Sequence, residues 1–98
     1  MTAGIKHDLG KPLVLKGFLQ QFPLAIEAVA RVSEFGAVKY TWGGWETVPE
    51  GVERYGEALA RHLLQEGYDA ESSMLHAAHA AWNAMARLEL MLRQRSTT

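Results

Sequence analysis

Apolar residues recur at three- and four-residue spacing along much of this chain, and no segment shows the two-residue alternation of a half-buried strand. Ala25, Val29, Val32 and Phe35 form one such stripe. It belongs to a helix expected over Pro23 to Tyr40, with Pro23 in the first turn, where an N–H would find no partner anyway. Met74, Ala78, Ala81, Met85, Leu88 and Leu92 form a second, longer stripe. Its helix is expected to start from an N-cap at Asp69 and run to about Arg93. A middle helix is expected to open on a capping box of Thr47 and Glu50. It runs to about Glu66 and stops at Gly67 in a left-handed cap. Thr41 to Glu46 reads as a loop broken by paired glycines, and Pro12 to Gln21 fits either a strand-like or a short helical piece. The polar segment Met1 to Gly10 reads as an arm.

The expected fold class is therefore all-α, with three main helices and an N-terminal arm in a single domain spanning residues 1–98. The last two helices are expected to form an antiparallel hairpin, because so few residues separate them. Composition adds an oligomer. A chain of 98 residues is 48% hydrophobic, which is generous for an interior this small, so part of that surface is expected to face a second copy.

Charge narrows the partners. Ten Lys+Arg against eleven Asp+Glu give a net charge of -1, without the basic excess of a protein that grips a nucleic-acid polymer. A small anion remains open, since its pocket needs only a few local cations. With no cysteine, disulfides and zinc–thiolate sites are excluded. No stretch reaches the roughly 18 apolar residues of a membrane span, and the N-terminus does not read as a signal peptide. No membrane partner and a cytoplasmic location are expected.

The third helix carries a polar stripe beside its apolar one. At 100° per residue, Ser72, His76, His79, Asn83 and Arg87 share about a quarter of the circumference, flanked by small alanines that let a neighbour come close. The middle helix offers Tyr55, Ala58, Leu59, His62 and Glu66 at helical spacing, and a hairpin brings His62 toward Glu71, Ser72 and His76. Two imidazoles, a carboxylate and an amide converging between helices can hold a divalent metal or grip phosphate oxygens. The bland alternative is a polar network that only joins helices or subunits.

Lys6, Lys11, Lys39, Arg54 and Arg61 are candidate phosphate ligands, each of which also fits as an ordinary surface charge. Trp42 and Trp45 fit as stacking faces for a base or as packing at an interface, whereas Trp82 reads as core. Glu50 and Glu53, followed by Glu66 and Asp69, formally fit the paired carboxylates of MazG-like pyrophosphohydrolases, which bind magnesium. Their context differs, because Glu50 sits at a cap and Gly67 breaks the helix between Glu66 and Asp69. Charges at helix ends ordinarily serve the helix dipole.

Taken in order, several elements resemble one family. Lys6-His7-Asp8-Leu9-Gly10-Lys11-Pro12, then Phe35-Gly36-Ala37-Val38-Lys39-Tyr40, then Trp45, look like the first half of the phage dATP/dGTP diphosphohydrolase domain. Arg54-Tyr55, Ala58, Arg61-His62, Asp69-Ala70-Glu71-Ser72 and His76-Ala77-Ala78-His79-Ala80 with Asn83 look like the second half. Two features depart from the family pattern. Ser73 stands where members usually have glycine, and the loop Gly67-Tyr68-Asp69 is shorter.

The resemblance implies an all-α, MazG-like protein that hydrolyses a purine deoxynucleoside triphosphate to monophosphate and diphosphate with Mg2+ or Mn2+. It implies catalytic roles for Glu71, His62 and His79, with metal held by Asp69, Glu71 and His79. Substrate binding falls to Lys6, Lys11, Lys39, Trp45, Arg61, His76 and Asn83. The purine nucleotide is the expected partner, in the cytoplasm of a bacterium carrying the phage. A relative that binds nucleotides without hydrolysing them is the alternative.

Overall fold

The computed structural model describes residues 10–96, so most of the expected arm, including Lys6, lies outside the described residues. Three α-helices follow one another: α1 (Pro23–Lys39), α2 (Gly51–Leu63) and α3 (His76–Ser96). A π-helical turn at Leu15–Leu19 precedes α1, which settles the open segment as helical, and a 3-10 turn at Gly44–Thr47 joins α1 to α2. No strand occurs among the described residues, only a single bridge between Tyr68 and Leu75. The all-α expectation holds.

Helix α1 begins at Pro23 as expected and ends one residue early, where the Tyr40 amide closes on the Gly36 carbonyl. The other two starts need correction. Thr47 and Glu50 form no capping box. The Thr47 hydroxyl is spent on the Gly44 carbonyl at 3.4 Å, and Pro49 forces Val48 into an extended conformation with ψ 125°. Glu50 then turns the chain into α2 through a left-handed φ of 55°, with no side-chain cap.

Asp69 does not cap α3, which starts seven residues later at His76. Aspartate suits tight turns as well as helix caps, and here the turn wins. Its Oδ1 accepts the amides of Glu71 at 3.0 Å and Ser72 at 2.9 Å. Gly67 is left-handed as expected, with φ 77°, but it lies beyond the C-cap of α2 at Leu64. The connection from Leu64 to Leu75 is thus a structured loop rather than a short link.

The main packing is α2 on α3, with α1 lying more lightly across α3. Gly51 sits against Leu90, Gly56 against Arg87, and His62 against His76, so the contact register descends along α3 as it ascends along α2. The core is thin. Val32, Ala78, Ala80 and Ala86 are its buried apolar residues, mostly alanines that permit close helix approach. A radius of gyration of 16.3 Å, against about 13 Å for a compact chain of this length, reflects an open arrangement. Trp82 ties α1 to α3 by donating its indole N–H to Ser33 Oγ at 2.7 Å. Among the described residues, no helix is long and apolar enough to cross a membrane.

Candidate functional site

The loop from Leu64 to Leu75 folds back on itself and sets the geometry of a polar side-chain cluster. The Asp69 amide bonds to the Met74 carbonyl at 2.7 Å, the Ser73 amide to Asp69 at 2.8 Å, and the His76 amide to Gly67 at 2.9 Å. Two left-handed residues make these reversals possible, Gly67 and Ser73, the latter at φ 62°. At Ser73 that backbone carries a steric penalty that only glycine escapes.

Against this loop, the last turn of α2 presents His62 and the first turns of α3 present His76 and His79. The Nδ1 atoms of His62 and His76 are 2.9 Å apart, and the His62 ring stacks on His79 at 4.8 Å between centroids and 13° between planes. Ser72 Oγ lies 2.7 Å from His79 Nε2, and the Phe35 ring meets His79 edge-on. His76, His79 and Asn83 are buried. The Asn83 amide donates to the His79 carbonyl at 2.8 Å, so that side chain braces the helix turn bearing the imidazole.

Electrostatics follow from the enclosure. Burial lowers the His62 pKa, and the neighbouring His79 and His76 push it the same way. The Ser72 amide hydrogen bond holds the Asp69 carboxyl below the usual carboxylate range. At the rim, Lys39 Nζ donates to Glu71 Oε2 at 2.8 Å, and both groups are exposed. That bond raises the Lys39 pKa, and the ammonium lies 5.7 Å from the Phe35 ring centre.

One ligand atom each from His62, Asp69 and His76 lie within 4.8 Å of one another. Two imidazoles and a carboxylate at that spacing are donors suited to a divalent ion. Of the expected metal ligands, Asp69 stands in this set, Glu71 faces Lys39, and His79 stacks behind His62. Arg61 is exposed on the last turn of α2, and Lys11 is exposed ahead of the π-helical turn.

Other expected groups lie apart. Glu50 and Glu53 sit at the start of α2 and Glu66 and Asp69 beyond its end, separated along the helix by about 20 Å at 1.5 Å per residue. The paired-carboxylate pattern is therefore not assembled in this chain. Arg87 of the polar stripe packs over Gly56, away from the histidine cluster. Trp45 joins Tyr55 and Trp82 in an edge-to-face trio, accepts the Tyr55 hydroxyl at its carbonyl, and lies under the Arg93 guanidinium at 5.3 Å. A cleft of about 340 Å3 opens beside it, lined by Val29, Ser33, Trp82, Met85 and Glu89 among others. The grouping of Asp69 with His62 fits the expected convergence at the mouth of the histidine row, whereas the Lys39–Glu71 pair has no counterpart in the sequence pattern.

No curated protein and no solved structure matches the chain. The profile of the family described as "dATP/dGTP diphosphohydrolase, N-terminal" matches residues 3–98. From the described loop, helices and histidine cluster to the segment that precedes them, this chain belongs to the dATP/dGTP diphosphohydrolase N-terminal family.

Proposed function

We propose that the chain hydrolyses a purine deoxynucleoside triphosphate to the monophosphate and diphosphate, with a divalent metal, at the polar cluster where α2 meets the start of α3. The observation that carries this reading is a metal-competent set of His62, Asp69 and His76 beside the Lys39–Glu71 pair. The family's description supports it with the same activity.

In this reading water attacks the α-phosphorus, the bond from that phosphorus to the bridging oxygen breaks, and diphosphate leaves. Lys39 exchanges Glu71 for a phosphate oxygen, supplying charge where the leaving group develops it. Arg61, with Lys11 and Lys6, adds positive charge around the diphosphate. The Ser72 hydroxyl and His79 Nε2 form a pair able to take up the proton lost by the attacking water. His62, Asp69 and His76 would hold a divalent ion, Mg2+ or Mn2+ in the resemblance, which would supply positive charge to the phosphates and polarise a water. Asn83 fixes the helix turn beneath the site.

The descending contact register between α2 and α3 supports the antiparallel hairpin. The thin core supports a homo-oligomer, since Leu24, Val38 and Leu64 are each more than 80% exposed. Light scattering at several concentrations tests this, and a monomer throughout would refute it. The expected setting is the cytoplasm of a phage-carrying bacterium.

Incubating purified protein with dGTP or dATP and Mg2+ or Mn2+ tests the reaction. Release of diphosphate and monophosphate is expected, and a nucleotide panel left intact with both metals refutes it. The separation of Glu50 and Glu53 from Glu66 and Asp69 favours a second reading, a protein that sequesters nucleotides. Tight, metal-independent binding with ligand recovered unchanged would select that reading.

A further inference from the structure

We infer that His62, Asp69 and His76 form a nitrogen-rich metal site that takes a transition ion of the Mn2+, Co2+ or Zn2+ class in preference to Mg2+. This deepens the hydrolase reading and rests on it for the site's purpose, while the ligand chemistry stands on the pocket alone.

The spacing is the first ground. Two nitrogens bound to one ion at about 2.0–2.1 Å, roughly a right angle apart, lie about 3 Å from each other. His62 Nδ1 and His76 Nδ1 are 2.9 Å apart. Without an ion, two imidazole lone pairs at that distance repel unless one proton sits between them, so one ring donates and the other accepts. A cation satisfies both nitrogens at once.

The second ground is how firmly the donors are held. His76 is only 6% exposed, and its own amide is fixed to the Gly67 carbonyl. Asp69 Oδ1 is engaged by the amides of Glu71 and Ser72, which holds the carboxylate in place beside the two imidazoles. His79 stacks on His62 and is itself anchored by Ser72, so the same serine orders a ligand and the residue that positions another. Such outer partners commonly fix imidazole ligands for metal.

The third ground is donor type. Mg2+ favours oxygen donors in near-ideal octahedral geometry and gives up water reluctantly. Imidazole favours the later divalent ions. The set here has two nitrogens and one carboxylate, and the next acidic group, Glu71, is neutralised by Lys39. Three protein donors leave the ion's other positions open to phosphate oxygen, as a nucleotide site requires.

The test uses chelator-treated full chain without nucleotide, titrated with Co2+ and followed by visible absorption and calorimetry. One Co2+ per chain is expected, with absorption bands of nitrogen ligation that a tenfold excess of Mg2+ does not remove. His76→Ala and Asp69→Asn are each expected to weaken Co2+ binding at least tenfold, and Glu66→Gln to leave it unchanged. Asp69→Asn retains the Oδ1 acceptor, so the loop still closes even if His76→Ala unfolds, and circular dichroism checks both. Absence of stoichiometric Co2+ binding, displacement by equimolar Mg2+, or full binding by folded Asp69→Asn overturns the inference. The two readings fail separately. Hydrolysis supported by Mg2+ in a chain that takes no Co2+ refutes this site alone, whereas tight Co2+ binding with every nucleotide intact upholds it and refutes the hydrolase.

Discussion

Replacing Ser73 with glycine changes one exposed side chain at the reversal that closes the pocket loop. Ser73 holds φ 62°, a conformation that costs an L-residue roughly 1–2 kcal/mol. Its side chain makes none of the loop's hydrogen bonds; its amide bonds to the Asp69 carbonyl, and glycine keeps that amide. Glycine loses about 0.5–1 kcal/mol more than other residues through the greater freedom of the unfolded chain. The net expectation is a gain of about 0.5–1 kcal/mol, or roughly 2–8 °C in melting temperature for a domain of this size. Calorimetry at one fixed protein concentration measures it without interference from self-association. Ser73→Ala is the control, because it keeps the Cβ and gains nothing. A melting temperature unchanged or lowered by Ser73→Gly refutes the strain argument.

Other perturbations separate stability from function. Ser33→Ala removes the acceptor of the Trp82 indole N–H and is expected to cost about 1 kcal/mol in urea unfolding; no change would mean that bond does not tie α1 to α3. Lys39→Ala breaks a solvent-exposed pair, so stability is expected to stay nearly unchanged. If Lys39 grips phosphate, KM for the triphosphate rises about tenfold, roughly 1.4 kcal/mol, and an unchanged KM excludes that role. Acid is expected to destabilise the fold. The His62 pKa is lowered on folding, so the unfolded chain binds the extra proton. That contribution is full above the ordinary value of about 6.5 and is lost as pH falls through it toward the folded-state value. Asp69, also lowered, adds a second loss only in stronger acid, below the ordinary aspartate range. Urea midpoints across this range check the sign, and His62→Gln should flatten the loss nearer neutrality.

The sequence made the helices legible where local rules acted alone. Pro23 marked the start of α1, and the three- and four-residue stripe of α3 survives from His76 onward. The convergence of His62, His76 and His79 was also readable, because helical spacing and chain proximity suffice to bring them together. Illegible features arose where one residue serves two local motifs. Asp69 suits a helix cap and a turn equally, and only the loop's closing bonds to Met74 and Gly67 decide for the turn. Thr47 fits a capping box until Pro49 extends Val48 beside it. The Lys39–Glu71 pair joins residues far apart in sequence, so no local pattern announces it. Trp45 fits a stacking face or a packing residue equally from sequence, and the rings of Tyr55 and Trp82 with the Arg93 guanidinium decide for packing.

The central claim is that water attacks the α-phosphorus of a purine deoxynucleoside triphosphate at the histidine cluster. Turnover of dGTP in 18O-labelled water, analysed by mass spectrometry, tests it most directly. One 18O in the monophosphate and none in the diphosphate is expected, with the reaction lost in His76→Ala. Label in the diphosphate, release of inorganic phosphate instead, or dGTP and dATP recovered intact would contradict the account.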